Sequence, residues 1–124
     1  MSQAVKRYPT TLPVPFSKAI RAGNFLLLSG QISMSAAGEV IHGSVTEQTH
    51  AIMERIGETL RECGADYKDV IKATIWLSSM DHFAEFNEAY KAYFQDALPV
   101  RSTVTAGLAL GLDVEIEVQA WIED

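Results

Sequence analysis

Two stretches of this chain carry a helix signal and then a strand signal in the same order, and that repetition restricts the fold more than any other feature. Ser44-Val45-Thr46-Glu47 has the Ser-x-x-Glu spacing of a capping box, in which two side chains satisfy the free amides of a helix start. Val45, Ile52, Ile56 and Leu60 keep the helical period behind it, and Gly64 stands where a left-handed cap ends a helix. Val70 to Leu77 follows as a strand, with Ile71, Ala73, Ile75 and Leu77 on one face and Lys72, Thr74 and Trp76 on the other. The order then recurs. Asp81 is placed to cap a second helix whose buried stripe is Phe83, Phe86, Tyr90 and Phe94, and Leu98-Pro99 stops it. Strands from Arg101 to Ala106 and from Val114 to Ile122 finish the chain. In front, Thr10 to Pro15 reads as an ordered arm, and Phe16 to Arg21 and Phe25 to Ser29 as two strands around the turn Ala22-Gly23-Asn24. The expected order is β-β-α-β-α-β-β, an α+β layer sandwich with both helices on one face of the sheet. A length of 124 residues suits one domain spanning 1–124.

The other face of that sheet would carry Glu115, Glu117, Gln119, Lys72 and Thr74 mixed with Trp76 and Trp121. Tryptophans beside charges suit a subunit interface better than bulk water, so an oligomer is expected. Two C-terminal segments supply the chemistry. In Pro99-Val100-Arg101-Ser102-Thr103 the proline fixes the approach to a strand and aims a planar, two-pronged cation. In Val114-Glu115-Ile116-Glu117-Val118 the alternation puts Glu115 and Glu117 on one strand face. If those two strands are neighbours, a guanidinium and a carboxylate flank one cleft suited to a small anion that needs a proton moved. A plain surface ion pair is the competing reading.

Other chemistries find little support. Ten basic against sixteen acidic residues give a net charge of −6, and the basic ones are scattered, which argues against nucleic-acid binding through phosphates. His42, His50 and His82 lie on separate elements without metal-ligand spacing. Gly107 and Gly111 sit in a strand connection, outside the strand-to-helix context of a phosphate loop. Ser29 has no evident histidine partner. Cys63, alone, forms no internal disulfide and reads as a small buried hydrophobe, in keeping with a reducing, cytoplasmic setting. No signal-peptide layout or membrane-length apolar run is present. What remains is carboxylate, arginine, hydroxyls and backbone, a set able to move protons and direct water at an already reactive substrate.

The motifs together resemble the Rid family, also called YjgF or the reactive intermediate deaminases. The resemblance rests on Pro15-Phe16-Ser17-Lys18-Ala19, Leu28-Ser29-Gly30-Gln31, Gln48-Thr49, Asp81-His82-Phe83, Phe86-Asn87-Glu88-Ala89-Tyr90, Pro99-Val100-Arg101-Ser102 and Val114-Glu115-Ile116-Glu117, in one order over nearly the whole chain. It implies a chorismate-mutase-like fold assembled as a homotrimer, with sites between subunits. It also implies hydrolysis of enamines and 2-imino acids such as 2-iminobutyrate and 2-iminopropanoate to 2-keto acids and ammonia. No cofactor is required. The functional link would be to pyridoxal-phosphate enzymes or amino acid oxidases that release such intermediates. Arg101 is then the carboxylate clamp and Glu115 the water-positioning acid/base, with Phe16, Ser29, Gly30, Asn87 and the main chain of Thr103 as substrate contacts.

Three positions depart from that pattern. Phe16 stands where main-type members usually have tyrosine, Thr103 replaces a usual cysteine, and Arg55 lies where many have asparagine. The leading expectation is therefore an imine deaminase. A non-catalytic trimer that binds small carboxylates is the alternative, and an aminomuconate-type deaminase and a ribonuclease are weaker ones.

Overall fold

The computed structural model describes residues 4–123. Six strands and two helices form in the order β1 (Val5–Tyr8), β2 (Ala19–Ala22), β3 (Phe25–Leu28), α1 (Val45–Glu62), β4 (Val70–Leu77), α2 (Phe83–Lys91), β5 (Val100–Thr105) and β6 (Val114–Trp121). They make one sheet ordered β1-β2-β3-β6-β4-β5, in which β4 and β5 run parallel and the other neighbours antiparallel. Both helices lie on one face, as expected. The structure adds β1 in front of the expected order, paired with β2 at the sheet edge.

α1 begins and ends as its sequence dictates. Ser44 Oγ accepts from the Glu47 amide at 3.1 Å, and Glu47 Oε1 accepts from the Ser44 amide at 2.9 Å. At the far end Gly64 takes φ +84°, which lets the Ala65 amide donate to Leu60 O and the Gly64 amide to Arg61 O. Ile52, Met53, Ile56 and Leu60 pack onto Leu26, Ala73, Ile75, Ile116 and Val118 of the sheet, and Cys63 is buried with them. Gly23, at φ +62°, closes the two-residue turn between β2 and β3.

The second half differs from expectation in three places. A register irregularity between Val70 and Lys72 turns Ile71 outward, so Val70 and not Ile71 joins the core. Ser79, not Asp81, caps the approach to α2, its hydroxyl accepting from the Asp81 amide at the start of a single 3₁₀ turn, Met80–His82. α2 ends at Lys91, well before Pro99; Phe94 still reaches the core from the following turns, whereas Phe83 is exposed. At the N-terminal side Phe16 to Lys18 lead into β2 without belonging to it.

Candidate functional site

β6 occupies a central position in the sheet, and its alternation holds without a break. Val114, Ile116, Val118 and Ala120 are buried under the helices, and Glu115, Glu117 and Gln119 are half-buried on the open face. Asp113 fixes where this strand begins. Its carboxylate accepts from Ser78 Oγ at 2.7 Å and from Gln48 Nε2 at 3.1 Å, its amide donates to Gln48 Oε1 at 2.9 Å, and His82 Nε2 lies 3.7 Å away. Those bonds, led by Ser78, hold the Asp113 carboxyl below its ordinary range.

Past β3, Gln31 pairs with Ile116 through two backbone hydrogen bonds, and this draws Gly30 over Glu115. A β-carbon built on Gly30 would lie 2.5 Å from Glu115 Oε2, so any larger residue there would displace the Glu115 carboxylate. Ser29 Oγ donates to Ser17 O at 2.6 Å, and the Ser29 amide donates to Lys18 O; together they tie the arm beside the end of β3. Phe16, 55% exposed, Gly30 and Glu115 thereby line one cavity of about 700 Å³ between that arm and the flank of α1. The Glu115 side chain makes no hydrogen bond or ion pair with any described residue. Burial first, and the neighbouring Glu117 charge second, push its carboxyl above the ordinary range.

Arg101 lies elsewhere. β5 is the opposite sheet edge, and β4 runs between it and β6, so the two C-terminal strands are not neighbours. Arg101 registers with Ala73 and through it with Val118, on the helix side, while Glu115 registers with Trp76 on the open side. One chain therefore holds the guanidinium and the carboxylate on different strands and opposite faces. The cleft anticipated between neighbouring strands is not formed within a chain.

Around Arg101 a second group gathers. Its Cζ lies 5.5, 5.5 and 5.1 Å from the ring centres of Phe83, Phe86 and Tyr90 on α2, and no carboxylate among the described residues pairs with it. Thr103 shares its strand face, and Asn87 shares the helix face of those rings. Asn87 Oδ1 and Tyr90 Oη are buried without a hydrogen-bond partner. Burial pushes the Tyr90 hydroxyl up to about 12, with Arg101 opposing, so it stays protonated near neutral pH. Among the described residues no cluster of histidine, cysteine, aspartate and glutamate could hold a metal ion.

Residues 9–122 match the family model described as Endoribonuclease L-PSP. A RutC family protein of Pyrococcus abyssi is 40% identical over 107 residues, covering 86% of this chain and 84% of its own. The 2-iminobutanoate/2-iminopropanoate deaminase of Mus musculus is 36% identical over 108 residues, covering 86% of this chain and 80% of its own. A solved structure from Neisseria meningitidis, described as a member of the YjgF protein family, superposes with a TM-score of 0.85 at 31% identity, covering 97% of this chain and 96% of that one. The chain belongs to the YjgF/Rid family. Its six-stranded mixed sheet under two helices is the fold of its Rid structural neighbours.

Reading the sequence alone missed two parts of this Rid chain. The Gln48–Asp113 bridge could have been suspected from a glutamine on the inner stripe of α1, where a buried amide needs a partner. The ring cradle of Arg101 had no local signal, because three aromatic residues at helical spacing read equally well as core.

Proposed function

We propose that this protein hydrolyses small 2-imino acids, and their enamine tautomers, to 2-keto acids and ammonia in clefts formed between copies of the chain. The observation that carries the reading is Glu115: a carboxylate on a cavity wall, unpaired, held against Gly30, with its proton affinity raised by burial. Such a group suits proton exchange with a bound water near neutral pH. Arg101 complements it. Its guanidinium rests on rings, which orient the cation without neutralising it, and so leave the planar fork free for a substrate carboxylate.

The chemistry follows from these two groups. Glu115 takes a proton from water as the oxygen bonds to the C=N carbon, while the imine nitrogen gains a proton. The resulting carbinolamine collapses when its hydroxyl proton is removed and its nitrogen is protonated. The C–N bond breaks, ammonia leaves, and a 2-keto acid remains. Phe16, Ser29, Gly30, Asn87 and the main chain of Thr103 would bound the substrate.

Because each chain carries the Glu115 half and the Arg101 half apart, a complete site needs the Arg101 half of one copy against the Glu115 half of the next. Contacts of that head-to-tail kind close into rings, and a trimer is the ring we propose. The 2-iminobutanoate deaminase relatives support the substrate class. The ribonuclease wording of the family model is not carried to this chain, because a net charge of −6 opposes approach to RNA. A cytoplasmic role in removing reactive intermediates completes the proposal; no helix among the described residues is long and apolar enough to cross a membrane.

The test generates several 2-imino acids with an amino acid oxidase and follows their hydrolysis with and without the protein. Faster loss of the imine supports the reading. No acceleration for any of them, with 2-keto acids still bound, would make the protein a carboxylate-binding ring instead.

A further inference from the structure

The cavity beside Glu115 runs from Gly30 and Phe16 to the flank of α1, past the point where an imine with a one- or two-carbon side chain would sit. Its walls are mostly apolar, with Leu12, Val14, Phe16, Ile32 and Met34 among them; two cations interrupt them, Lys18 and, from the flank of α1, Arg55, beside the carboxylates Glu58 and Glu62. Arg55 is half-buried, and its guanidinium makes one hydrogen bond among the described residues, a long one, Nη1 to Ile32 O at 3.4 Å. No carboxylate among the described residues reaches ion-pair distance of it, although Glu58 is near enough to favour its charge. Lys18, the other cation on the wall, is already engaged by Glu62 at 2.8 Å. A guanidinium has five donors in a fixed fork, so most of the hydrogen-bonding capacity of Arg55 is unused while burial already penalises its charge.

The position of this unused fork relative to the reacting centre is set by one short segment. Gly30 lies on Glu115, and Ile32, two residues on, accepts from Arg55. Two residues of extended chain span roughly 6–7 Å. A staggered side chain of about four bonds, counted from the carbon attacked by water, advances ~5 Å, and a hydrogen bond of ~2.9 Å from its terminal oxygen covers the rest.

We propose that Arg55 is a specificity-determining residue: the substrate's side chain lies along this cavity and ends in an oxygen acceptor bound by the Arg55 guanidinium. The preferred substrates are then 2-imino acids with a side chain of about four carbons, apolar along its length and capped by a carboxylate or a neutral carbonyl. This rests on the imine-hydrolase reading above and names its substrate class.

The test uses three 2-imino acids that share a six-carbon backbone, made in situ by an amino acid oxidase from norleucine, 2-aminoadipate and the δ-methyl ester of 2-aminoadipate. For the unaltered protein, kcat/KM is expected to be roughly tenfold or more higher for at least one oxygen-capped substrate than for the norleucine-derived imine, the size of a hydrogen bond to a charged group. The arms separate a charged acceptor from a neutral one. Arg55→Met keeps the aliphatic stem and removes every donor, and should bring that ratio to about one, while Arg55→Lys should keep part of it. Thermal melting checks each variant, and Arg55→Leu replaces the methionine variant should that one not fold. A ratio near one in the unaltered protein, or a ratio unchanged by Arg55→Met, overturns the proposal. If no imine is turned over at all, the deaminase reading is what has failed. The same ratio is then read from calorimetric affinities for the three matching 2-keto acids, where a value near one overturns the role of Arg55 independently.

Discussion

At Arg101 the cation is spread over three ring faces, and this governs what its replacement does. Arg101→Lys keeps the charge but loses the two-pronged fork, so most imine hydrolysis should be lost; Arg101→Ala should lose more, on the order of 2–5 kcal/mol of transition-state binding. Removing the guanidinium also uncovers the rings, so the alanine variant should unfold about 1 kcal/mol more easily, measurable by urea titration. Full activity in Arg101→Ala would exclude it as the carboxylate clamp. Glu115→Gln should lower turnover roughly 10²–10⁴-fold while 2-keto acid binding is nearly kept. Glu117→Gln should leave the rate within a few-fold but move the Glu115-controlled limb of the pH–rate profile to lower pH, because the Glu117 charge helps hold the Glu115 carboxyl up. The same shift has a sign in stability. A carboxyl raised in the folded state favours folding while protonated, and that contribution is lost as pH rises through its folded value. Denaturation midpoints of Glu115→Gln relative to the unaltered protein should therefore improve as pH rises above the ordinary carboxylate range.

Among the elements, α1 carries a glycine where helix propensity would favour alanine. Gly57 lies under the Tyr67 hydroxyl, which donates to Met53 O at 2.6 Å and leaves no room for a β-carbon. Gly57→Ala should therefore destabilise by about 1–3 kcal/mol instead of gaining the usual ~1 kcal/mol, and a thermal melt will show the direction. That helix was legible in the sequence because its capping box, apolar period and terminal glycine all agree. β1 was not, since Val5-Lys6-Arg7-Tyr8 places two charges in the middle of an edge strand whose side chains stay largely exposed. Ile71 misled because a bulge reverses its facing, and such a shift leaves no mark in an alternating pattern. Phe83 looked like core and instead lies exposed beneath Arg101. For the candidate site, the close approach at Gly30 and the facing of Glu115 followed from local spacing. The separation of Arg101 from Glu115 did not, because it depends on β4 lying between β5 and β6, and strand order is a property of the whole sheet.

Over the whole molecule, the sheet face away from the helices exposes Phe25, Leu27, Val100, Val104 and Trp121 around a polar centre of Thr74, Ser102, Glu117 and Gln119. An apolar surface of that kind is normally covered. Light scattering at micromolar concentration should return a ring of several chains, and a lone 13.6 kDa species would remove the proposed shared site. Shared sites make a sharper expectation. In an equal mixture of Arg101→Ala and Glu115→Gln chains, unfolded and refolded together, a site is intact only when each neighbour supplies its unaltered half. That occurs half of the time for each, so about a quarter of the sites should recover activity. No recovery would mean that both residues serve the same half. The open face also has an optical consequence. Both tryptophans of the chain, Trp76 and Trp121, stand on it and none in the core, with Trp121 edge-on to Phe25 at 5.0 Å. Indole emission from this protein is thus blind to the packing beneath the helices and responds to whatever dries the opposite surface, so a dilution series read in the fluorimeter becomes a direct gauge of subunit association.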